Sequence, residues 1–109
     1  MKRNGNMNEN MITINGKQYK AKKMDVVATA YAGKQMTSTG GWAKVKHTIA
    51  VDSKIIPYGS KIYIPALGFI GVAEDCGSAI KNNKIDIFMS SYKEAMNWGI
   101  KNITIYILQ

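Results

Sequence analysis

Three aspartates stand in or beside the most strand-like segments of the chain: Asp52 in "AVDSKIIPYG", Asp75 in "VAEDCGS" and Asp86 in "KIDIFM". A lone carboxylate is costly to bury, so carboxylates set among isoleucines call for a reason. Acid–base chemistry supplies one, because two carboxyls in one groove hold a proton near neutral pH that neither keeps in water. The strand period of two puts Ile85, Ile87 and Met89 on one face and Asp86 with Phe88 on the other. Asp86 therefore leaves the core side for a groove or solvent, and a mid-strand charge there points to function. Asp75 closes the strand "FIGVAE" before a turn that Gly77 permits, and a functional and a capping role are equally open to it. Asp52 ends "TIAV" before the Ser53–Pro57 turn, where capping of loop amides is the simpler role.

Other side chains qualify as accessories. Trp42, Tyr31 and Tyr58 offer flat rings for stacking on a ligand or for packing at a rim, with Trp42 the best placed because it follows Gly40-Gly41. Lys81, after the apolar Ala79-Ile80, is either a solvated lysine or a steering charge for carboxylates. Trp98 reads as core. His47 is the single histidine and lacks metal-ligand partners in the sequence, which makes it structural. The single cysteine, Cys76, allows neither an internal disulfide nor a multi-cysteine zinc site. No metal or other cofactor is expected.

These residues need elements to position them. Residues 1–10, polar and asparagine-rich, read as a disordered tail. Asn15-Gly16 between two alternating runs predicts a hairpin over 11–23, and 24–109 read as one domain. Strands are expected at Met24–Tyr31, His47–Val51, Lys61–Ile64, Phe69–Glu74 and Lys84–Met89, with a last strand in "KNITIYIL". A long loop spans Ala32–Lys46. The one convincing helix is "SYKEAMNWG", capped by Ser91 with Glu94 and stopped at Gly99, with Tyr92, Ala95 and Met96 sharing a face. Six or seven short strands around one short helix predict a closed or nearly closed barrel.

With 109 residues and 46% hydrophobic content, the chain supports one core. A net charge of +8 implies attraction to a polyanion such as nucleic acid, a membrane surface or a cell wall. Of the 15 Lys and Arg, all but Arg3 are lysine, a poor fit to base or bidentate phosphate reading; nucleic acid is not expected as partner. No apolar run is long enough for a membrane span, and no secretory signal is visible.

The segments "TAY", "AVDSKIIPYGSKIYIP", "VAEDCGSAIKNNKIDIF" and "EAMNWG" together resemble the 3D domain, named for three aspartates. It is found in stationary-phase survival and resuscitation-promoting-factor-like proteins and in the catalytic part of the membrane-bound lytic murein transglycosylase A family. The resemblance runs from about Asp25 to the C-terminus and implies a double-psi β-barrel that cleaves peptidoglycan glycan strands. By the same implication Asp86 is the catalytic acid and base, Asp75 its neighbour in the groove and Asp52 an orienting or structural partner. Tyr31, Trp42, Tyr58, Gly77 and Lys81 would contact substrate. The chain departs from the family at Cys76 and Ser78, where Asp-Thr-Gly-Gly is common, and at Asn82, where glycine often stands; this bears on substrate preference.

A lytic transglycosylase needs one acid. It protonates the oxygen leaving C1 of N-acetylmuramic acid, then accepts the proton of that sugar's C6 hydroxyl as a 1,6-anhydro ring closes. Asp86 must then titrate above the usual carboxylate range. Three alternatives remain: a lysozyme-type hydrolase using Asp75 and Asp86, a non-catalytic wall-glycan binding module, and a small dimeric aspartic protease built on Asp75-Cys76-Gly77-Ser78. In the protease, Asp52 and Asp86 have no role. A monomer is expected, acting on the bacterial cell wall. Without a signal peptide, it would be a phage or prophage lysin released through a pore, or a domain excised from a secreted protein.

Overall fold

A computed structural model of the chain describes residues 8–109. Strand β1 (Asn8–Ile14) turns at Asn15-Gly16 into β2 (Lys17–Tyr31), both turn residues taking positive φ. The rest of the chain forms β3 (Thr48–Ala50), β4 (Lys61–Ile64), β5 (Phe69–Asp75), β6 (Lys84–Phe88), α1 (Tyr92–Trp98) and β7 (Lys101–Leu108). The sheet order is β1-β2-β6-β3-β5-β4-β7, and a β2–β7 ladder closes the last six into a barrel. Two parallel pairs, β2–β6 and β3–β5, meet through the antiparallel β3–β6 contact. The expected mainly β barrel with one short helix and an N-terminal hairpin is the observed architecture.

Two boundaries differ from expectation by more than one residue. The tail assigned to residues 1–10 lies outside the described residues up to residue 7, but Asn8–Asn10 already belong to β1, paired with Lys23, Lys22 and Ala21. The hairpin's second arm and the strand expected from Met24 are one continuous strand of 15 residues. The physical reason is pairing: β2 bonds β1 over its first half and β6 over its second along one edge, and β7 over Ala21–Ala28 along the other.

The core fills the barrel. Ile49, Ile62, Ile85 and Ile105 are fully buried with Val26 and Ala28, as the alternation in β6 and β7 requires. Gly71 lets β5 approach β3: a Cβ there would lie 2.5 Å from Ile49 Cδ1 and 2.9 Å from the His47 carbonyl oxygen. Helix α1 is only seven residues long, too short to persist alone. Its Ser91 cap accepts the Glu94 amide at 3.1 Å, and the Glu94 carboxylate accepts the Ser90 hydroxyl at 2.7 Å. The face shared by Tyr92 and Met96 is exposed. Trp98 anchors the helix, packing against the core and donating its indole N–H to the Ala28 carbonyl at 3.0 Å.

Candidate active site

The site lies on the outside of the barrel, and a bulge places half of it. Along β5, Gly71 and Ala73 face inward, so an unbroken period would turn Asp75 inward as well. The β3–β5 ladder instead pairs Ile49 with Ala73 and Ala50 with Asp75, leaving Glu74 as the extra residue. A bulge re-aims the side chain that follows it. Ala50 also opposes Asp86 on β6, so the two aspartates stand on the same outer face with an alanine methyl between them. Their Cα atoms are two ladder spacings apart, roughly 9–10 Å. On the next strand Thr29 opposes Asp86 and Tyr31 opposes Phe88, the two rings meeting edge to face at 5.2 Å between centroids.

The carboxyls are held differently. Asp75 is buried, and four donors reach it: the Ser38 amide at 3.1 Å, the Ser38 hydroxyl at 3.0 Å, the Cys76 amide at 2.9 Å and the Tyr31 hydroxyl at 3.1 Å. Three of the four converge on Oδ1, and Tyr31 alone reaches Oδ2. Asp86 accepts one hydrogen bond, from the Thr29 hydroxyl at 2.8 Å. Partial burial pushes the Asp86 carboxyl above its usual range; the Thr29 bond opposes this, and the Asp75 charge adds to it. The Tyr31 hydroxyl is also pushed far up, by burial first and then by Asp75, so it stays a donor.

Asp52 is not part of this pair. Its oxygens accept the Lys54 amide at 3.1 Å and the Asn82 amide at 2.9 Å, which hold it below the ordinary carboxylate range. Asn82 has φ of 59°, so Asp52 fastens a left-handed turn that glycine would adopt at less cost. Asp52, Gly77 and Lys81 line a cleft of about 280 Å³ with Cys76. This cleft precedes β6; a second, apolar one of about 240 Å³, lined by Val45, Phe69, Phe88 and Met89, lies at its far end. Asp86 belongs to neither and sits on the strand between them.

The Ala32–Lys46 loop folds back on itself. Met36 bridges to Trp42, and the Thr37 amide donates to the Gly41 carbonyl at 2.7 Å. Ser38 and Thr39 tie it to Asp75 and to the Glu74 carbonyl. Trp42 stands more than half exposed on it, and Tyr58 is also exposed. Ser38, then Tyr58, favours the Cys76 thiolate by hydrogen bonding, and the Cys76 bond correspondingly disfavours ionisation of Tyr58. His47 lies 3.5 Å from Glu74, whose other oxygen accepts the Thr48 hydroxyl at 2.6 Å.

Sequence reasoning gave no role to Thr29 or Ser38. Thr29 was within reach, since period two puts it on the Tyr31 side of β2. Ser38 was not, because its partner is 37 positions away across an irregular loop. Among the described residues no group of three or more metal-ligating side chains converges.

A closed barrel whose outer face carries two neighbouring aspartates, and whose residues 47–109 match the 3D domain model, makes this chain a member of the 3D domain family. Among its relatives it is 41% identical over 102 residues to the cell wall-binding protein YocH of Bacillus subtilis (strain 168), covering 84% of this chain and 34% of that protein. It is 40% identical over 95 residues to the putative cell wall shaping protein YabE of the same organism, covering 80% of this chain and 23% of that one. The chain thus spans about a third or less of these curated relatives. Among solved structures it is similar in fold to MltA from E. coli, with a TM-score of 0.56 and 22% identity over 71% of this chain and 28% of that one. One MltA structure is described as a unique lytic transglycosylase fold.

Proposed function

We propose that the protein is a peptidoglycan lytic transglycosylase that cleaves the β-1,4 bond between N-acetylmuramic acid and N-acetylglucosamine. Asp86 donates its proton to the departing O4 of N-acetylglucosamine as the C1–O4 bond breaks. The resulting carboxylate takes the proton of the muramic C6 hydroxyl while that oxygen bonds to C1, giving a 1,6-anhydro end and regenerating the acid. One group serves both steps and no water is consumed.

The observation that carries this reading is the inequality of the two carboxyls. Asp86 is partly buried, singly bonded and raised in pKa, which suits an acid that must hold its proton. Asp75 is tied into the protein by four donors, three on Oδ1 and Tyr31 on Oδ2, and each hydrogen bond it accepts weakens it as a base. That disfavours the lysozyme-type alternative, which needs a second working carboxylate. Asp75 serves as a fixed charge that raises Asp86 and positions Tyr31 and the loop. Asp52, bound to two amides, is structural support for the turn before β6. Trp42, Tyr58, Gly77 and Lys81 line the approaches as substrate contacts. The names of the relatives, cell wall-binding and cell wall shaping, favour a second reading in which the same face holds wall glycan without cleaving it; either way the protein acts on the bacterial cell wall.

Mass analysis of soluble fragments from purified peptidoglycan decides among these readings. Anhydro-muropeptides from the wild type and almost none from Asp86→Asn support the transglycosylase. Fragments with reducing ends, one water heavier, mean hydrolysis, and binding without release means the non-catalytic module.

A further inference from the structure

A second surface lies across the barrel from Asp75 and Asp86, on the outer face of β4 and β7. Register aligns Ile70, Tyr63, Tyr106 and Lys23 in one row across β5, β4, β7 and β2. The adjacent row places Lys61 beside Leu108. The row spans three ladder spacings, about 14 Å. Tyr63 and Tyr106 are half-buried, their centroids 6.4 Å apart and their planes inclined by 31°, so two neighbouring, roughly parallel rings stand on this face. Both lysines are exposed. The nearest carboxylate on this face, Asp25, accepts the Thr104 hydroxyl at 2.7 Å, and no ion pair to Lys23 or Lys61 forms among the described residues.

We propose that this face is a second binding site for peptidoglycan glycan strands, separate from the groove. The partner's chemistry follows from the surface. Tyrosine rings lying side by side take the apolar C–H faces of successive pyranose rings, and the flanking ammonium groups pair with carboxylates carried by the strand. A row of rings crossing four strands suits an extended polymer. The inference rests on the wall-directed reading of the protein but not on catalysis: it would keep the domain on the polymer while the groove engages and releases individual bonds.

The test measures retention of the full chain on insoluble peptidoglycan stripped of phosphodiester polymers, in the Asp86→Asn background so that the polymer persists. Tyr63→Ala with Tyr106→Ala should weaken apparent affinity by about tenfold or more, the scale of losing two stacked rings. Lys23→Glu with Lys61→Glu, which leaves the rings in place, should weaken it similarly and flatten its dependence on salt. With Asp86 restored, both double variants should cleave short soluble glycan fragments as the wild type does, because such fragments cannot span both faces. Unchanged retention in the lysine variant, with its thermal transition intact, overturns the proposal. So does retention that requires the phosphodiester polymers. If the wild type cleaves nothing but retention still depends on these residues, the transglycosylase reading fails and this one stands.

Discussion

Strand β2 serves two outer regions that treat charge in opposite ways. Its outward positions carry Lys23 at one end and Thr29 and Tyr31 at the other. Around Lys23 the outer face carries Tyr106 and Lys61, both lysines exposed, and the neighbouring Asp25 is engaged by Thr104. Around Thr29 the chain concentrates Asp75, Asp86 and Glu74, three of its seven acidic residues, and partly withdraws them from water. The same strand geometry thus yields an attractive surface where charges face solvent and a reactive one where they are crowded. Solvation, rather than residue type alone, makes the difference.

The sharpest way to break this contrast is to remove the raised acid. Asp86→Asn should lower turnover on peptidoglycan by about 10²- to 10⁴-fold, the usual worth of a positioned general acid, while retention on the wall remains. A smaller loss would mean that crowding has no catalytic use. The same variant tests the cost of crowding. With its folded-state pKa raised, Asp86 binds protons more tightly in the native state than in the unfolded chain, so it lowers stability as pH rises from the reference carboxylate range through its folded value. Asp86→Asn should therefore melt higher than wild type at neutral pH, with the gain fading on acidification. A thermal shift series over pH reads this directly.

Packing behind the groove comes next. Gly71→Ala should cost about 1–3 kcal/mol in chemical denaturation, because its methyl would overpack Ile49 and the His47 carbonyl. Asp75→Asn removes a charge that raises Asp86, so the alkaline limb of the pH–rate profile should move to lower pH. An unmoved limb would show that burial alone sets the acid. The smallest effect is expected at Asp52. Its lowered pKa contributes stability above the unfolded carboxylate range that is lost as pH falls through the folded value. Asp52→Asn should melt slightly below wild type at neutral pH and converge with it in acid, with turnover nearly unchanged.

How far the fold was legible follows from where its information is local. Lys61–Ile64 and Ser91–Gly99 stand where hydrophobic period and capping residues put them, because period and caps act over a few positions. The continuity of β2 was not legible, since it depends on partners 57 to 87 positions away. Within the site, Asp86 could be placed on the outer face from "KIDIF" alone. Asp75 could not: period two along "FIGVAED" sends it inward, and only the bulge at Glu74, set by the pairing with β3, turns it out. The capping role of Asp52 was readable from its position at a strand end, but its distant partner Asn82 was not.

The length of β2 has a mechanical consequence. A pull on the hairpin enters the barrel along β2, parallel to the strand and across its ladders with β6 and β7. Hydrogen bonds loaded in that direction share the force and yield together instead of unzipping one by one. Tension between whatever holds the hairpin and whatever fills the groove would thus arrive at Thr29 and Tyr31 as strain along their own backbone.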